Sequence, residues 1–600
     1  MALDRPAGPE TRIPGHRAAC AWLQSVHLPV RALISFALPS ITALDLDRYL
    51  VAFDSRHVPS YRFDVLVVGS GAAGSITALT AADRGASVAI IAKGSLSESN
   101  TLRAQGGMAA VVSPEDQFAS HIADTMRVGC GMCHRDIVEA VVHGGPAAVR
   151  QLIDLGAEFD QGSNGGFDLS REGGHTHPRV IHAQGDATGR EIQRVVTGGI
   201  DRHDGVAKFD HLFAIDLLSA DDGRVCGVLC KTERGDLVAF QCSQVVLATG
   251  GGGQIYRETT NPAIATADGV AMGIRAGAAA RDLEFVQFHP TCLYIAGAAR
   301  VLISEIVRGA GAVLRDRHGV RFMPKYHPQA ELAPRDVVSR AVFERMVSTN
   351  DTSVYLDLSA IDGDPHLSFP GISHICRFFG IDIARDPVPV RPGAHYMVGG
   401  LEVDADGKCS IPGLWAAGEC ASSGLHGANR MGSNSLLQAV VVGNHIGEVI
   451  GDSIGNISSF VQPAFERRRS ADVPIHAELS IEDLVYSLKS LMWRQMGVER
   501  DAPGIRDASD KLEFWMRTVQ AIGSEEKRNL ELANMLLVAR MAAISALARE
   551  ESRGVHYRTD FPDAKPEWQA HTSLRPSLSP DRLDSVELHR VPIVEAVTQP

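Results

Sequence analysis

Positive charge is scarce in this chain. Its 600 residues carry 58 lysines and arginines against 71 aspartates and glutamates, for a net charge of -13 and a pI near 6.0. That balance argues against a general binder of nucleic acid or of a membrane surface. Any anionic substrate must therefore be met by local cations. Cysteine is scarce too: ten are scattered between Cys20 and Cys420, too thinly for a disulfide framework, which fits a reducing cytoplasm. Near the N-terminus the longest apolar run, Ala32 to Leu44, is too short to span a bilayer and contains Pro39, so no membrane span is expected. Residues 1–60 mix Arg5, Arg12, Arg17 and Arg31 with Asp4, Glu10, Asp45 and Asp47, a pattern of neither a signal peptide nor a transit peptide. They read as an extension with a helix over Thr42 to Phe53. What the chain does have is 45% hydrophobic residues and 58 glycines, enough for several cores and three or four domains.

The first clear signal is Phe63 to Val68, a β-branched run that reads as a buried parallel strand. It leads into Gly69-Ser70-Gly71-Ala72-Ala73-Gly74, an alanine-rich helix to Arg84 and a second strand from Ser87 to Ile91. This is the order of a dinucleotide site. Gly69 and Gly71 let the backbone turn tightly and approach a pyrophosphate, Gly74 lets helix and strand pack closely, and the helix N-terminus attracts phosphate. At this glycine content three glycines so spaced recur by chance roughly once in two chains of this length, so the weight rests on their context. The acidic residue expected beyond the second strand is missing, and Lys93 stands near its place. Lysine donates to ribose oxygens but cannot accept from the hydroxyls, which speaks against a plain NAD site.

Two later segments, Gln244 to Gly253 and Leu414 to Glu419, each run from a strand into a glycine turn. The run Gly424 to Leu436 reads Gly-Leu-His-Gly-Ala-Asn-Arg-Met-Gly-Ser-Asn-Ser-Leu, with Arg430 set among small and backbone-bonding residues. Together these segments resemble the succinate dehydrogenase, fumarate reductase and L-aspartate oxidase flavoprotein family, over roughly residues 61–570. The resemblance implies an α/β fold: a Rossmann-like FAD-binding domain in two parts (61–283 and 399–465), an inserted α+β capping domain (284–398) and a C-terminal helical domain (466–600), with residues 1–60 unassigned. In the last of these, Ile481, Leu484, Val485, Leu488, Leu491, Met492 and Met496 mark one helical face. A second helix is expected over Glu531 to Glu550, with Gly554 as its stop, and Glu551 to Arg558 as a packing segment.

The resemblance also implies FAD contacts at Gly69, Ser70, Gly71, Ala72, Ala73, Gly74, Lys93, Gly250, Asp268, Ser435 and Leu436, with Glu419 on a ribose. The segment Ser99 to Gly107 looks like the loop along the isoalloxazine ring, contributing Asn100, Thr101, Ala104, Gln105, Gly106 and Gly107. Membrane-complex relatives carry a histidine before that threonine and bind FAD covalently. Asn100 cannot form that bond, so noncovalent FAD is expected.

Four separated segments supply His289, Arg335, His395 and Arg430. Taken singly, a histidine among apolar residues is a core group and an Arg-Asp pair a structural ion pair. Jointly, in the segments where the family keeps its dicarboxylate ligands, they are a chemically sufficient clamp for two carboxylates. Ser304 falls where relatives place a substrate-bonding hydroxyl. Residues 168–191 contain Arg-Glu-Gly-Gly-His, similar to the L-aspartate oxidase version, in which the glutamate, here Glu172, meets a substrate amine. The implied activity is oxidation of L-aspartate to iminoaspartate on the route to quinolinate and NAD, with oxygen or fumarate as electron acceptor and quinolinate synthase as a candidate partner. Arg335 is implied in proton transfer. Because arginine normally stays protonated, Asp336 or Glu305 would have to relay. The alternatives are a soluble fumarate reductase or succinate dehydrogenase flavoprotein subunit, or a haem protein using Cys130-Gly131-Met132-Cys133-His134. That last motif occurs once, inside the family pattern, and no metal site is expected.

Overall fold

Short apolar runs that are continuous rather than alternating belong in parallel sheets covered on both faces, and five of them assemble here. The computed structural model, which describes residues 36–163, 165–297, 300–454, 466–467 and 480–593, orders them Leu414–Ala416, Gln244–Leu247, Val65–Val68, Val88–Ile91 and Val206–Phe209. All neighbours are parallel, and Val65–Val68 at the centre is wholly buried. One face is covered by the helices Ala72–Asp83, Thr188–Arg202 and Asn434–Ser453. The first and third meet through Gly443, Gly447 and Gly451: a Cβ on Gly443 would stand 2.7 Å from the Ala73 carbonyl oxygen, and one on Gly447 2.7 Å from Thr80 Cβ. The other face is covered by the antiparallel strands Leu212–Ser219, Val225–Thr232 and Leu237–Gln241 and by the helix Asp268–Ala276.

Beyond Leu283 the chain builds a separate antiparallel sheet in the order Val286–Leu293, Val388–Met397, Val354–Asp357, Val313–Arg315. Its core includes Leu293, Val307, Leu314, Val338 and Val342. The helix Arg335–Ser348 packs on this sheet, and Ser339 donates to the Phe288 carbonyl at 2.7 Å. Toward the C-terminus Ile481–Gln495, Ala502–Ile522 and Lys527–Ala548 are helical, the first as its apolar face predicts. The last is long and apolar enough to cross a membrane, a feature the sequence reading passed over; here it is a core helix with 83% of its most apolar window buried. It ends at Ala548, ahead of Gly554.

Two expectations fail. Thr42 to Phe53 is not a helix: Phe36–Asp47 is a strand, bulged around Asp45, whose φ is 49°. Nor is the C-terminal region helical throughout, because Ala570–Ser579 and Arg582–Pro592 form a long hairpin. The two errors have one cause. The N-terminal strand pairs antiparallel with the hairpin, Thr42 opposite Val586, and the pair continues into a six-stranded sheet through Ala280–Arg281, Gly400–Glu402 and Ala421–Ser422. A partner over 500 residues away leaves no local period to read.

Candidate active site

The C-terminal ends of the parallel strands and the antiparallel sheet enclose one cleft of about 1660 Å³, its open mouth included. In an open α/β sheet that is where ligands bind. At one end the wall is backbone. Gly69 has φ 113°, and a Cβ there would lie 2.2 Å from the Ala248 carbonyl oxygen; one on Gly74 would lie 2.0 Å from the Gly69 oxygen. The first amides of the helix Ala72–Asp83 have no side-chain cap from Gly71, although Thr101 Oγ1 accepts from the Ala72 amide at 3.1 Å. Ser70, Ala73, Ala104, Gly250, Ser435 and Leu436 also line the cleft. Two buried oxygens in this wall, Asn100 Oδ1 and Gln105 Oε1, have no protein partner among the described residues. A glycine cradle with a helix N-terminus and unpartnered polar atoms fits the pyrophosphate and polar edges of a flavin dinucleotide.

Lys93 lines the same end, but its three donors are taken by Thr266 Oγ1 (2.5 Å), Asp268 Oδ2 (2.7 Å) and Glu531 Oε1 (2.9 Å). Burial disfavours its charge, yet the two carboxylates prevail and raise its pKa. Asp268 thus meets Lys93 from another segment, where the strand end has no acid of its own. Glu419 lines the cleft beside Asn100. Its carboxylate accepts from the Met397 amide (2.8 Å) and from Asn100 Nδ2 (3.0 Å), and burial pushes its pKa up to about 7.

At the far end the wall is side chains, and all the predicted substrate residues converge there. Arg335 opens its helix, donating from Nε to Glu305 Oε2 at 2.7 Å and from Nη1 to Gln287 Oε1 at 3.3 Å. Arg430 donates to Ser435 Oγ (2.5 Å) and, at 3.4 Å, to the same Gln287 oxygen. Burial and the neighbouring Arg335 push Arg430 down to about 10, still a cation at neutral pH. Asp336 faces away, accepting from Asn429 and Arg340. Of the two relay partners considered for Arg335, only Glu305 touches it.

The two histidines are neutral and oppositely wired. Burial, with Arg335 and Arg430 among the nearby cations, holds both well below the usual imidazole range. The Thr291 amide reaches His289 Nδ1 at 3.3 Å. An amide can only donate, so Nδ1 accepts and Nε2 carries the proton. That Nε2 is buried without a partner among the described residues, a donor awaiting an acceptor. His395 Nε2 lies 3.3 Å from Arg430 Nη2, which also can only donate, so its Nδ1 donates to Thr260 Oγ1 at 2.9 Å. Ser304 caps the helix Glu305–Gly309 by accepting from the Ile306 amide, which leaves its proton free.

Glu172 sits among these cations with its side chain 1% exposed, 3.9 Å from Arg335 Nη2. Burial and the nearby Glu305 carboxylate raise its pKa, opposed by Arg335, Ser433 and Arg430. Its loop is pinned from behind by fully buried Arg179, which forms ion pairs with Asp116 and Asp124.

Three residues of this end were not found from sequence: Gln287, which bridges both arginines, Ser433, and Arg308, buried 3.3 Å from Glu305. Gln287 had a usable signal, since it precedes His289 by two on one strand and so shares its face. Cys130 and Cys133 lie behind the substrate loop, bonded to backbone carbonyls, with thiols pushed up to about 12 by burial. Glu551 to Arg558 braces that loop, Val555 donating to the Ala428 carbonyl at 3.0 Å.

Residues 64–436 match the family model described as FAD binding domain, and 486–598 the one described as Fumarate reductase flavoprotein C-term. The chain is 39% identical over 558 residues to an L-aspartate oxidase of Synechocystis sp., covering 87% of this chain and 99% of that one. It is 40% identical over 547 residues to the Streptomyces coelicolor protein of the same name, covering 88% and 94%. Among solved structures it is similar to the FrdA chain of E. coli quinol fumarate reductase, with TM-score 0.82 and 30% identity over 90% of this chain and 98% of that one. Mycobacterium smegmatis Sdh1 gives TM-score 0.77 and 32% identity, over 90% and 95%.

Proposed function

Since the chain belongs to the L-aspartate oxidases, a branch of the succinate dehydrogenase and fumarate reductase flavoproteins, we propose that it oxidises L-aspartate to iminoaspartate with noncovalent FAD and that the side chains at the far end of the cleft divide the work as follows. Bound FAD supplies the acceptor for a hydride. Arg430 and the free Nε2–H of His289 hold the two carboxylates, with Ser304 as a further donor, while His395, its Nδ1–H held by Thr260, accepts from Arg430 and orients it. Glu172 takes the ammonium. Arg335 moves the proton, taking one from the substrate at the outer edge of the guanidinium as its Nε–H passes to the Glu305 carboxylate. That coupling answers the objection that arginine does not give up its charge.

Glu172 carries this reading. Of the two carboxylates at this end, Glu305 is paired with Arg335 at 2.7 Å and Arg308 at 3.3 Å, whereas Glu172 lies 3.9 Å from Arg335, so Glu172 is the one placed to meet an ammonium and to repel a plain diacid. At about 4 Å and an effective dielectric near 20, carboxylate and ammonium attract by roughly 4 kcal/mol before desolvation reduces the net. In Glu172→Gln the charge goes and the shape stays. The aspartate kcat/KM, followed by peroxide formation, should fall by about 10- to 100-fold, on the order of 1–3 kcal/mol. Fumarate reduction with a chemical donor should fall less, because fumarate has no ammonium. Equal losses, or a wild-type protein that prefers succinate to aspartate, would sink the assignment.

For the outgoing electrons we take oxygen or fumarate, the latter because a clamp for two carboxylates accepts it. Anaerobic turnover with and without fumarate separates the two. The likeness to FrdA and Sdh1 favours a second reading, a soluble fumarate reductase or succinate dehydrogenase chain. Fumarate reduction or succinate oxidation outrunning aspartate oxidation would select it.

A further inference from the structure

Ser433 is folded against the ordinary preferences of its position. It precedes the helix Asn434–Ser453, where a serine hydroxyl normally accepts from an amide of its own first turn. Here it makes no such bond, and its backbone is left-handed, φ 61° and ψ -1°. Glycine adopts that conformation without penalty, so a serine kept there points to a use for the hydroxyl elsewhere. The hydroxyl donates to Glu172 Oε2 at 2.8 Å and accepts from the Gly107 amide at 3.2 Å, while the Ser433 carbonyl accepts from the Ala109 amide at 3.1 Å. Among the described residues no other hydrogen bond reaches the Glu172 carboxylate. Backbone walls it on two sides: a Cβ on Gly106 would lie 2.9 Å from Glu172 Oε1, and one on Gly432 2.3 Å from Oε2.

We propose that Ser433 is the positioning residue that sets amine specificity: its single hydroxyl fixes the Glu172 carboxylate, in ionised form, to the 105–109 loop that runs along the cofactor cradle. The inference rests on the reading that Glu172 takes the ammonium. A hydroxyl donor favours a carboxylate over the neutral acid. The other charged groups facing Glu172 are Glu305 and Arg308 from one helix, Arg335 from another and Arg430 from the substrate loop. Glu305 and burial favour the neutral acid, and the cations oppose them. Without Ser433 the balance moves toward the neutral acid, which cannot pair with an ammonium.

Ser433→Gly suits the test, because glycine relieves the left-handed strain and leaves only the hydroxyl missing. Flavin content and the melting temperature verify folding. Relative to wild type, the ratio of aspartate kcat/KM to fumarate kcat/KM should fall about tenfold, the loss of one hydrogen bond to a charged group. The acidic limb of the aspartate profile, which reports ionisation in the free enzyme, should move to higher pH by about one unit. In a Glu172→Gln background, Ser433→Gly should leave the ratio where the first substitution put it. An unmoved ratio and limb, or the same tenfold loss in the Glu172→Gln background, would show that Ser433 serves only the loop. If Glu172→Gln collapses the ratio and Ser433→Gly does not, this inference fails alone. If Glu172→Gln leaves the ratio intact, the reading beneath it fails first.

Discussion

The two ends of the cleft are built from different materials. The cofactor end is largely backbone: glycines whose missing Cβ atoms make room and amides at a helix start, with Gly69, Gly71 and Gly74 in one short run. The substrate end is side chains carried by segments far apart in sequence and held by one another, as when Gln287 bonds both Arg335 and Arg430. Backbone architecture tolerates change at many side chains but none at a few glycines. A constellation of charges can lose a member and keep its shape. Damage at the first end should therefore appear as lost cofactor, and damage at the second as lost rate or affinity with the cofactor retained.

The sharpest way to break that contrast is Arg335→Gln. Turnover should fall about a thousandfold or more, on the order of 4 kcal/mol, with FAD content unchanged by absorbance. A loss of only a few-fold would mean another group moves the proton. Arg430→Ala should come next. A buried carboxylate that loses its charged partner costs about 3 kcal/mol, so the aspartate concentration for half-saturation should rise about a hundredfold, again with FAD bound. The reverse pattern is expected from Gly74→Ala: its Cβ would meet a backbone oxygen at 2.0 Å, and overpacking of about 2 kcal/mol should weaken FAD about thirtyfold. Reconstituted with excess FAD, it should regain near-normal half-saturation for aspartate; if it does not, the two ends are not separable.

The smallest effect concerns Glu419, between the two. Its folded pKa is raised to about 7 by burial, so the ionised form is the one the fold disfavours. The stability it contributes is fully present below the ordinary glutamate range and is lost as pH rises through about 7, amounting to about 3 kcal/mol at most. Unfolding midpoints of the FAD-free protein should drop between pH 5 and pH 8 by a few degrees more in wild type than in Glu419→Gln. Parallel curves would mean that Glu419 ionises without cost.

The same contrast explains what was legible beforehand. Strand, glycine turn and helix at 65–83 obey local rules, so residues alone announce them. Glu172, His289, His395 and Arg430 have no local signature and became readable only through resemblance to a family. Ser433 escaped because it acts on another side chain and not on a ligand, a relation that exists only in three dimensions, whereas Gln287 left a local trace two residues before His289. Asp268 shows the limit well: no acid stands beyond Ile91, and the one that meets Lys93 arrives from a helix 175 residues later. The N-terminal strand was misread for the same reason, its partner being the C-terminal hairpin.

That pairing has a temporal consequence. During synthesis, residues 36–47 emerge early and have no strand to pair with until 582–592 have left the ribosome tunnel. The strands Ala280–Arg281 and Gly400–Glu402, which lead into and out of the antiparallel sheet above the cleft, lie in the same six-stranded sheet, and one edge of Ala280–Arg281 also waits for the hairpin. Nascent chains stalled short of residue 570 should thus hold the dinucleotide layer folded but leave the roof unanchored. Closing so long a loop is slow, and the exposed edge of 36–47 is where a folding helper would find its work.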